Sequence, residues 1–129
     1  MSIIRVNLGA KSYNIEIAAG LLDAAGEKIR SISKAQRAAV ISDSNVDELY
    51  GESLQAALAG SGFKATRIVF PAGEKSKCLA ELAKIYDRLA EAGITRSDLV
   101  VALGGGVTGD LGVFAAATFL RGVDYVQIP

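Results

Sequence analysis

Apolar and polar positions along the chain divide it into a short alternating start and a longer strand–helix succession. Ile3–Leu8 and Tyr13–Ile17 alternate apolar with polar residues around Gly9-Ala10-Lys11-Ser12, which predicts an antiparallel hairpin with one wet face. After Gly20, Leu22, Ala25, Ile29 and Ile32 recur at helical spacing and predict a helix over 21–32. Arg37–Ser42 reads as a short buried strand ending in Asp43-Ser44-Asn45, a run of turn formers and helix caps. Val46–Ala59 predicts a helix with a break at Gly51, closed by Gly60-Ser61-Gly62, and Lys64–Phe70 alternates as a strand. Pro71–Lys75 is a loop, with Ser76 as the expected N-cap of a helix ending at Gly93. That helix is expected to pack through Leu79, Leu82, Ala83, Tyr86, Leu89 and Ala90.

The last third is the most apolar. Leu99–Leu103 has no polar alternation, as suits a strand buried on both faces within Asp98–Leu103. A glycine-rich turn follows, then an alanine-rich apolar run to Leu120 that predicts a buried helix, with Gly122 as its stop and Tyr125–Ile128 as a final strand. Strands that alternate with helices require crossover connections. The expected fold class is therefore α/β: a doubly wound, mainly parallel Rossmann-like sheet with an N-terminal antiparallel hairpin. The 129 residues suit one domain and show no internal repeat or linker. They stop at Pro129 directly after a strand, where this fold class places functional loops, so the sequence reads as a truncated domain over 1–129.

Composition narrows the chemistry. Lys+Arg and Asp+Glu both number 14, with four Tyr, four Phe and no Trp, so neither a basic footprint nor a stacking platform for nucleic acid is indicated. The longest apolar run breaks well before the roughly 20 residues of a membrane span, and Met1–Arg5 lacks a signal-peptide layout. One cysteine excludes an internal disulfide and suits the cytoplasm. Histidine is absent, which removes the commonest general base and metal ligand and makes a zinc site within this chain improbable. Cys78 is expected to be a small packed hydrophobe without a role.

Three polar loops follow successive strands and share one edge of the expected sheet. Gly104-x-Gly106-x-x-Gly109 matches the dinucleotide fingerprint and has a strand before it and a helix after. It lacks the usual acid at the end of the next strand, so a phosphate cradle and a tight packing turn both remain open. Asp43 and Asn45 sit where a carboxylate takes ribose hydroxyls, and Asp43 facing a ligand is compatible with Ser44 or Asn45 capping the helix. Gly73-Glu74-x-x-Lys77 is either a solvated turn with local charge pairing or a third contact to the same extended ligand. Asp110 and Arg121 are expected on one face of the last helix, about 16 Å apart along its axis, so they serve different groups or simply offset the two ends of the helix dipole.

Gly104-Gly105-Gly106-Val107-Thr108-Gly109-Asp110-Leu111, then Phe114–Gly122, then Gln127-Ile128-Pro129, resemble the 3-dehydroquinate synthase family. Pro71-Ala72-Gly73-Glu74-x-x-Lys77 and Ser42-Asp43-Ser44-Asn45 extend the resemblance over essentially the whole chain. It implies an NAD-dependent lyase of the shikimate pathway, a sugar-phosphate cyclase converting 3-deoxy-D-arabino-heptulosonate 7-phosphate to 3-dehydroquinate and phosphate. By the resemblance, Asp43, Asn45, Gly73, Glu74, Lys77, Gly105, Gly106, Val107, Thr108, Gly109 and Asp110 bind NAD, and Arg121 meets substrate phosphate from a partner subunit of a homodimer. The family's catalytic residues and its divalent metal, zinc or cobalt, are expected in a C-terminal domain absent from this chain, which alone is expected to be inactive. Two other readings stay open: the NAD domain of another cyclase or of a glycerol- or iron-dependent alcohol dehydrogenase, and a non-enzymatic nucleotide-binding or dimerisation module.

Overall fold

The computed structural model describes residues 1–129. Its elements are β1 (Ser2–Val6), β2 (Tyr13–Ile17), α1 (Ala25–Ile32), β3 (Arg37–Asp43), α2 (Ser44–Val46), α3 (Glu52–Gly60), β4 (Lys64–Phe70), α4 (Leu79–Glu91), β5 (Leu99–Leu103), α5 (Gly106–Thr118) and β6 (Asp124–Ile128). The last four strands form one parallel sheet in the order β4-β3-β5-β6, and β1 and β2 pair antiparallel as a separate hairpin. This is the expected α/β architecture.

Side-chain alternation divides the interior into two cores. Ala38 and Val40 of β3 join Leu99, Val101 and Leu103 of β5 beneath α1 and α3, with Ile29, Leu54 and Leu58 closing that layer. Ala39 and Ile41 join Val100, Ile68 and Phe70 beneath α4 and α5, with Leu82, Ile85, Leu89, Leu111 and Ala115 opposite. The central strand β5 is buried along its whole length, which is why its sequence shows no alternation. Small residues let α5 lie close to the sheet: a Cβ on Gly112 would stand 3.1 Å from the Ala102 methyl.

Several local expectations are corrected. The hairpin has two wet faces, with Ile3, Ile4, Ile15 and Ile17 all exposed, and Glu16 of β2 pairs with Lys28 of α1 at 2.7 Å. The first helix begins only at Ala25, after Gly20 takes a positive φ and residues 19–24 form turns, and Ile32 at its last position points into solvent. Gly51 does not break its helix: Asp47–Gly51 form a π turn between α2 and α3. A Cβ at Gly51 would stand 2.0 Å from Asp47 Oδ1, and that carboxylate is held 3.1 Å from the Arg67 guanidinium. Along α4 the buried stripe is Leu82, Ile85 and Leu89, whereas Ala83 and Ala90 are exposed and Leu79, in the first turn beyond the packed layer, is 81% exposed. The apolar run after Gly106 is not buried all round either, since Phe114 and Leu120 face solvent.

Candidate functional site

Strand order reverses between β3 and β5: the chain leaves β3 toward β4 on one side, and leaves β5 toward β6 on the other. Loops leaving such a pair diverge and open a crevice at the carboxyl edge of the sheet. Here the strand ends are level, with Ser42 beside Leu103 and Asp43 beside Phe70. The buried Ser42 hydroxyl donates to the Leu103 carbonyl at 2.8 Å, tying the floor of the crevice together. The three loops singled out in the sequence all leave this edge.

The glycine turn forms the start of α5. Gly104 closes β5, its N–H donating to the Ile128 carbonyl at 3.0 Å, and takes a φ of 146°. Gly105 is the N-cap, without a side chain to satisfy the helix, so the N–H groups of Gly106, Val107 and Thr108 have no intrahelical acceptor. Gly105 and Gly106 are exposed, and Val107 is half-buried. Thr108 is buried at 1% exposure, and its hydroxyl is the one buried side-chain polar atom without a hydrogen-bond partner. Gly109 lies under Gln127, whose Nε2 would be 2.6 Å from a Cβ there. Free N–H groups, a positive dipole end and an unpartnered hydroxyl in one turn fit an anionic ligand such as a dinucleotide pyrophosphate.

Asp43 stands across the crevice. Its Oδ1 accepts the N–H groups of Asn45 and Val46, each at 2.9 Å, so Asp43 itself is the cap that had been expected of Ser44 or Asn45. One oxygen serves both bonds, and Oδ2 makes none within the protein. Ser44 reaches elsewhere: its Oγ accepts the Ala72 N–H at 3.0 Å, joining the loops after β3 and β4. Asn45 is exposed beside them.

The loop after β4 turns at Gly73, with a φ of 113°. The Ser76 hydroxyl donates to the Pro71 carbonyl and so is not the N-cap of α4; that position falls on Cys78. Cys78 is exposed at the helix start, not packed, since the preceding loop holds its backbone extended ahead of the first turn. Lys77 Nζ lies 2.8 Å from Asp110 Oδ2 and 3.5 Å from Glu74 Oε2, which brings together charges from two loops. The hydrogen bond from Lys77 to Asp110, with the charges of Asp110 and Glu74, holds the ammonium above its ordinary pKa despite some desolvation. Asp110 is past the first turn of α5, so its partner is Lys77 and not the helix dipole.

Arg121 is not part of this cluster. The α5 helix stops at Thr118, and Leu120 and Arg121 take φ values of 52° and 65°, so regular helical geometry does not extend to Arg121. The helix separates it from the glycine turn by roughly 20 Å, at 1.5 Å per residue. An apolar depression of about 350 Å³ adjoins the Lys77–Asp110 pair, lined by Leu79, Leu82, Leu111 and Phe114. A larger groove of about 400 Å³ along β4 and α4 touches none of the nominated side chains. No three His, Cys, Asp or Glu side chains converge.

Ser42, Ser44 and Ser76 organise the site without having been singled out for these bonds. The sequence signal is a serine beside each strand end or loop turn, which in isolation reads as a cap or turn former.

Residues 67–129 match the family model described as 3-dehydroquinate synthase N-terminal. Over all 129 residues the chain is 47% identical to a 3-dehydroquinate synthase from Clostridium acetobutylicum and 49% identical to one from Pelobacter propionicus. It spans 36% of each, about a third of the length of these curated relatives. Among solved structures, 2-deoxy-scyllo-inosose synthase with carbaglucose-6-phosphate, NAD+ and Co2+ superposes with a TM-score of 0.87 at 23% identity, over 99% of this chain and 34% of that one. A 2-epi-5-epi-valiolone synthase from Streptomyces hygroscopicus with NAD+ and Zn2+ gives 0.77 at 32% identity, over 96% of this chain and 34% of that one. By sequence, the chain is similar over its whole length to the N-terminal third of 3-dehydroquinate synthases, and its residues 67–129 match the N-terminal model of that family.

Proposed function

We propose that this chain is the NAD+-binding domain of an enzyme that converts 3-deoxy-D-arabino-heptulosonate 7-phosphate to 3-dehydroquinate and phosphate. The observation that carries the reading is the opening of α5 at the switch point. Its free N–H groups open on a crevice whose other wall carries Asp43 with one oxygen uncommitted, and the same turn holds the buried, unpartnered Thr108 hydroxyl. Gly105, Gly106, Val107 and Thr108 would hold the pyrophosphate, Gly109 would keep the turn close against Gln127, and Asp43 with Asn45 would take the adenosine ribose. Gly73, Glu74 and Lys77 would close the site from the third loop, with Asp110 of α5 paired to Lys77. A carboxylate at the ribose repels a 2′-phosphate, so NAD+ is favoured over NADP+. When bound, NAD+ supplies the transient oxidation of a substrate ring carbon and its later reduction; the residues of this chain bind and orient it.

The higher identity to 3-dehydroquinate synthases than to the valiolone synthase favours this substrate over that of another cyclase. Arg121, exposed beyond α5, is assigned to substrate phosphate across a homodimer interface, and the divalent metal to protein outside these residues. The reading places the enzyme in the cytoplasm and gives it a sugar-phosphate substrate; no helix is long and apolar enough to cross a membrane.

Titration calorimetry of the chain with NAD+, NADP+ and ATP tests the proposal. The expected result is weak binding that prefers NAD+ and falls about tenfold for Asp110→Ala and Asp43→Ala, with melting curves run because Asp43 also caps α2. A folded sample that binds none of the three nucleotides overturns it.

A further inference from the structure

We infer that Ser44 is a positioning residue that fixes the loop carrying Glu74 and Lys77 relative to Asp43. Its consequence for ligand affinity rests on the cofactor reading above. Asp43 already satisfies the start of α2 through Oδ1, so the Ser44 hydroxyl is not needed as a cap. It accepts instead from Ala72, 28 residues further along the chain. Ala72 is a lever point. Pro71 before it has a fixed φ and no N–H, and Gly73 after it turns at a φ of 113°.

Beyond Ala72 the loop is knitted internally. Ser76 donates through its hydroxyl to the Pro71 carbonyl and through its N–H to the Gly73 carbonyl at 3.1 Å, and the Lys77 N–H donates to the Glu74 carbonyl at 3.0 Å. Residues 71–77 are therefore braced internally; they continue from Phe70, which pairs with Asp43 in the ladder, and are tied further to α5 by the Lys77–Asp110 pair and to the start of α2 by Ser44. Of these two attachments, the ion pair ends on a flexible, half-exposed lysine, whereas the Ser44 bond grips the loop's backbone. Loss of the hydroxyl leaves the loop folded and its start held beside Asp43 through Phe70, but loosens Ala72–Lys77, so a ligand reaching from Asp43 to Lys77 must order that segment on binding.

The test compares wild type, Ser44→Ala and Ser44→Thr by residue-resolved amide hydrogen exchange and by NAD+ calorimetry, with melting temperatures as a control. Removal of one exposed hydrogen bond predicts Ala72 amide exchange about three- to tenfold faster in Ser44→Ala, confined to residues 72–77. NAD+ affinity falls by a similar factor, the melting temperature barely moves, and Ser44→Thr, which retains a hydroxyl, restores both. Unchanged protection at Ala72 overturns the positioning role. Faster exchange with unchanged NAD+ affinity overturns its consequence for the ligand. If wild type binds no NAD+, the cofactor reading has failed, and the exchange data still decide the role of Ser44 in the loop.

Discussion

Replacing Gly104 with alanine tests the geometry on which the glycine turn depends. A Cβ built there lies 2.6 Å from Thr108 Oγ1, 2.9 Å from its Cβ and 3.3 Å from its Cγ2, on a backbone with φ of 146°. Holding a side chain in that region of φ costs about 1–3 kcal/mol. Forcing it against a well-packed neighbour costs about 1–3 kcal/mol more. The total, about 2–6 kcal/mol, is a large part of the 5–15 kcal/mol that keeps a domain of this kind folded. At roughly 4 °C per kcal/mol for this size, the melting temperature should fall by about 8–24 °C. Urea unfolding followed by circular dichroism gives the free energy directly. The two costs separate in a cycle with Thr108→Ala, which removes Oγ1 and Cγ2 and strips no hydrogen bond from the protein. In that background Gly104→Ala should cost about 1–2 kcal/mol less, because only the backbone strain and the contact to Cβ remain. A cost below about 1 kcal/mol in wild type, or equal costs in both backgrounds, refutes the packing of Thr108 over Gly104.

Two further perturbations probe the scaffold. Asp98 is buried, which by itself would raise its pKa, but hydrogen bonds from the Thr95 N–H, the Arg37 N–H and the Thr95 hydroxyl outweigh this and hold it below the ordinary carboxylate range. A carboxylate whose pKa is depressed by folding contributes stability above its unfolded value, and loses it as pH falls through the folded value. Wild-type stability should therefore drop below about pH 4, and Asp98→Asn should be less stable at pH 7 with a shallower acid limb; parallel limbs in urea titrations exclude this account. Gly26→Ala should destabilise by more than about 1 kcal/mol, since its Cβ would sit 2.1 Å from the Ala57 carbonyl where α1 crosses α3. An unchanged urea midpoint would show that the two helices are not in this close contact.

The parts of the fold that could be read from sequence are those where one side-chain pattern admits one environment. The unbroken run Leu99–Leu103 had to be a central strand, and the alternation in Lys64–Phe70 fits an edge strand facing one core. Gly104–Asp110, Asp43–Asn45 and Gly73–Lys77 were recognisable as polar breaks after such strands, and parallel topology brings them to one edge. Where a residue has two compatible partners, pattern alone does not choose. Cys78 and Leu79 continue an apolar helical stripe, yet they precede the first packed turn of α4 and are exposed. Arg121 continues a helical spacing that the positive φ values at Leu120 and Arg121 have already ended.

Asp43 shows why the site itself was only partly legible. A cap and a ligand contact look like competing uses of one carboxylate when only residue types are considered. The geometry removes the competition, because both capping N–H groups converge on Oδ1 and Oδ2 stays uncommitted. That same economy releases Ser44 from the helix end and lets its hydroxyl grip Ala72 in the next loop. The run Asp43-Ser44-Asn45 therefore divides its labour, with the first residue both closing the helix and keeping an acceptor for the crevice. The second residue holds the opposing loop in place. It follows that Asp43→Asn and Asp43→Ala should behave differently. An asparagine retains an oxygen that can cap α2, so it should leave stability nearly unchanged; on the proposed cofactor reading NAD+ affinity falls, as a neutral amide replaces the carboxylate proposed to meet the ribose. Alanine should lose both, with about 1 kcal/mol of stability going with the cap. Equal loss of stability in the two variants, measured by urea unfolding, would mean that the two oxygens do not have separate roles.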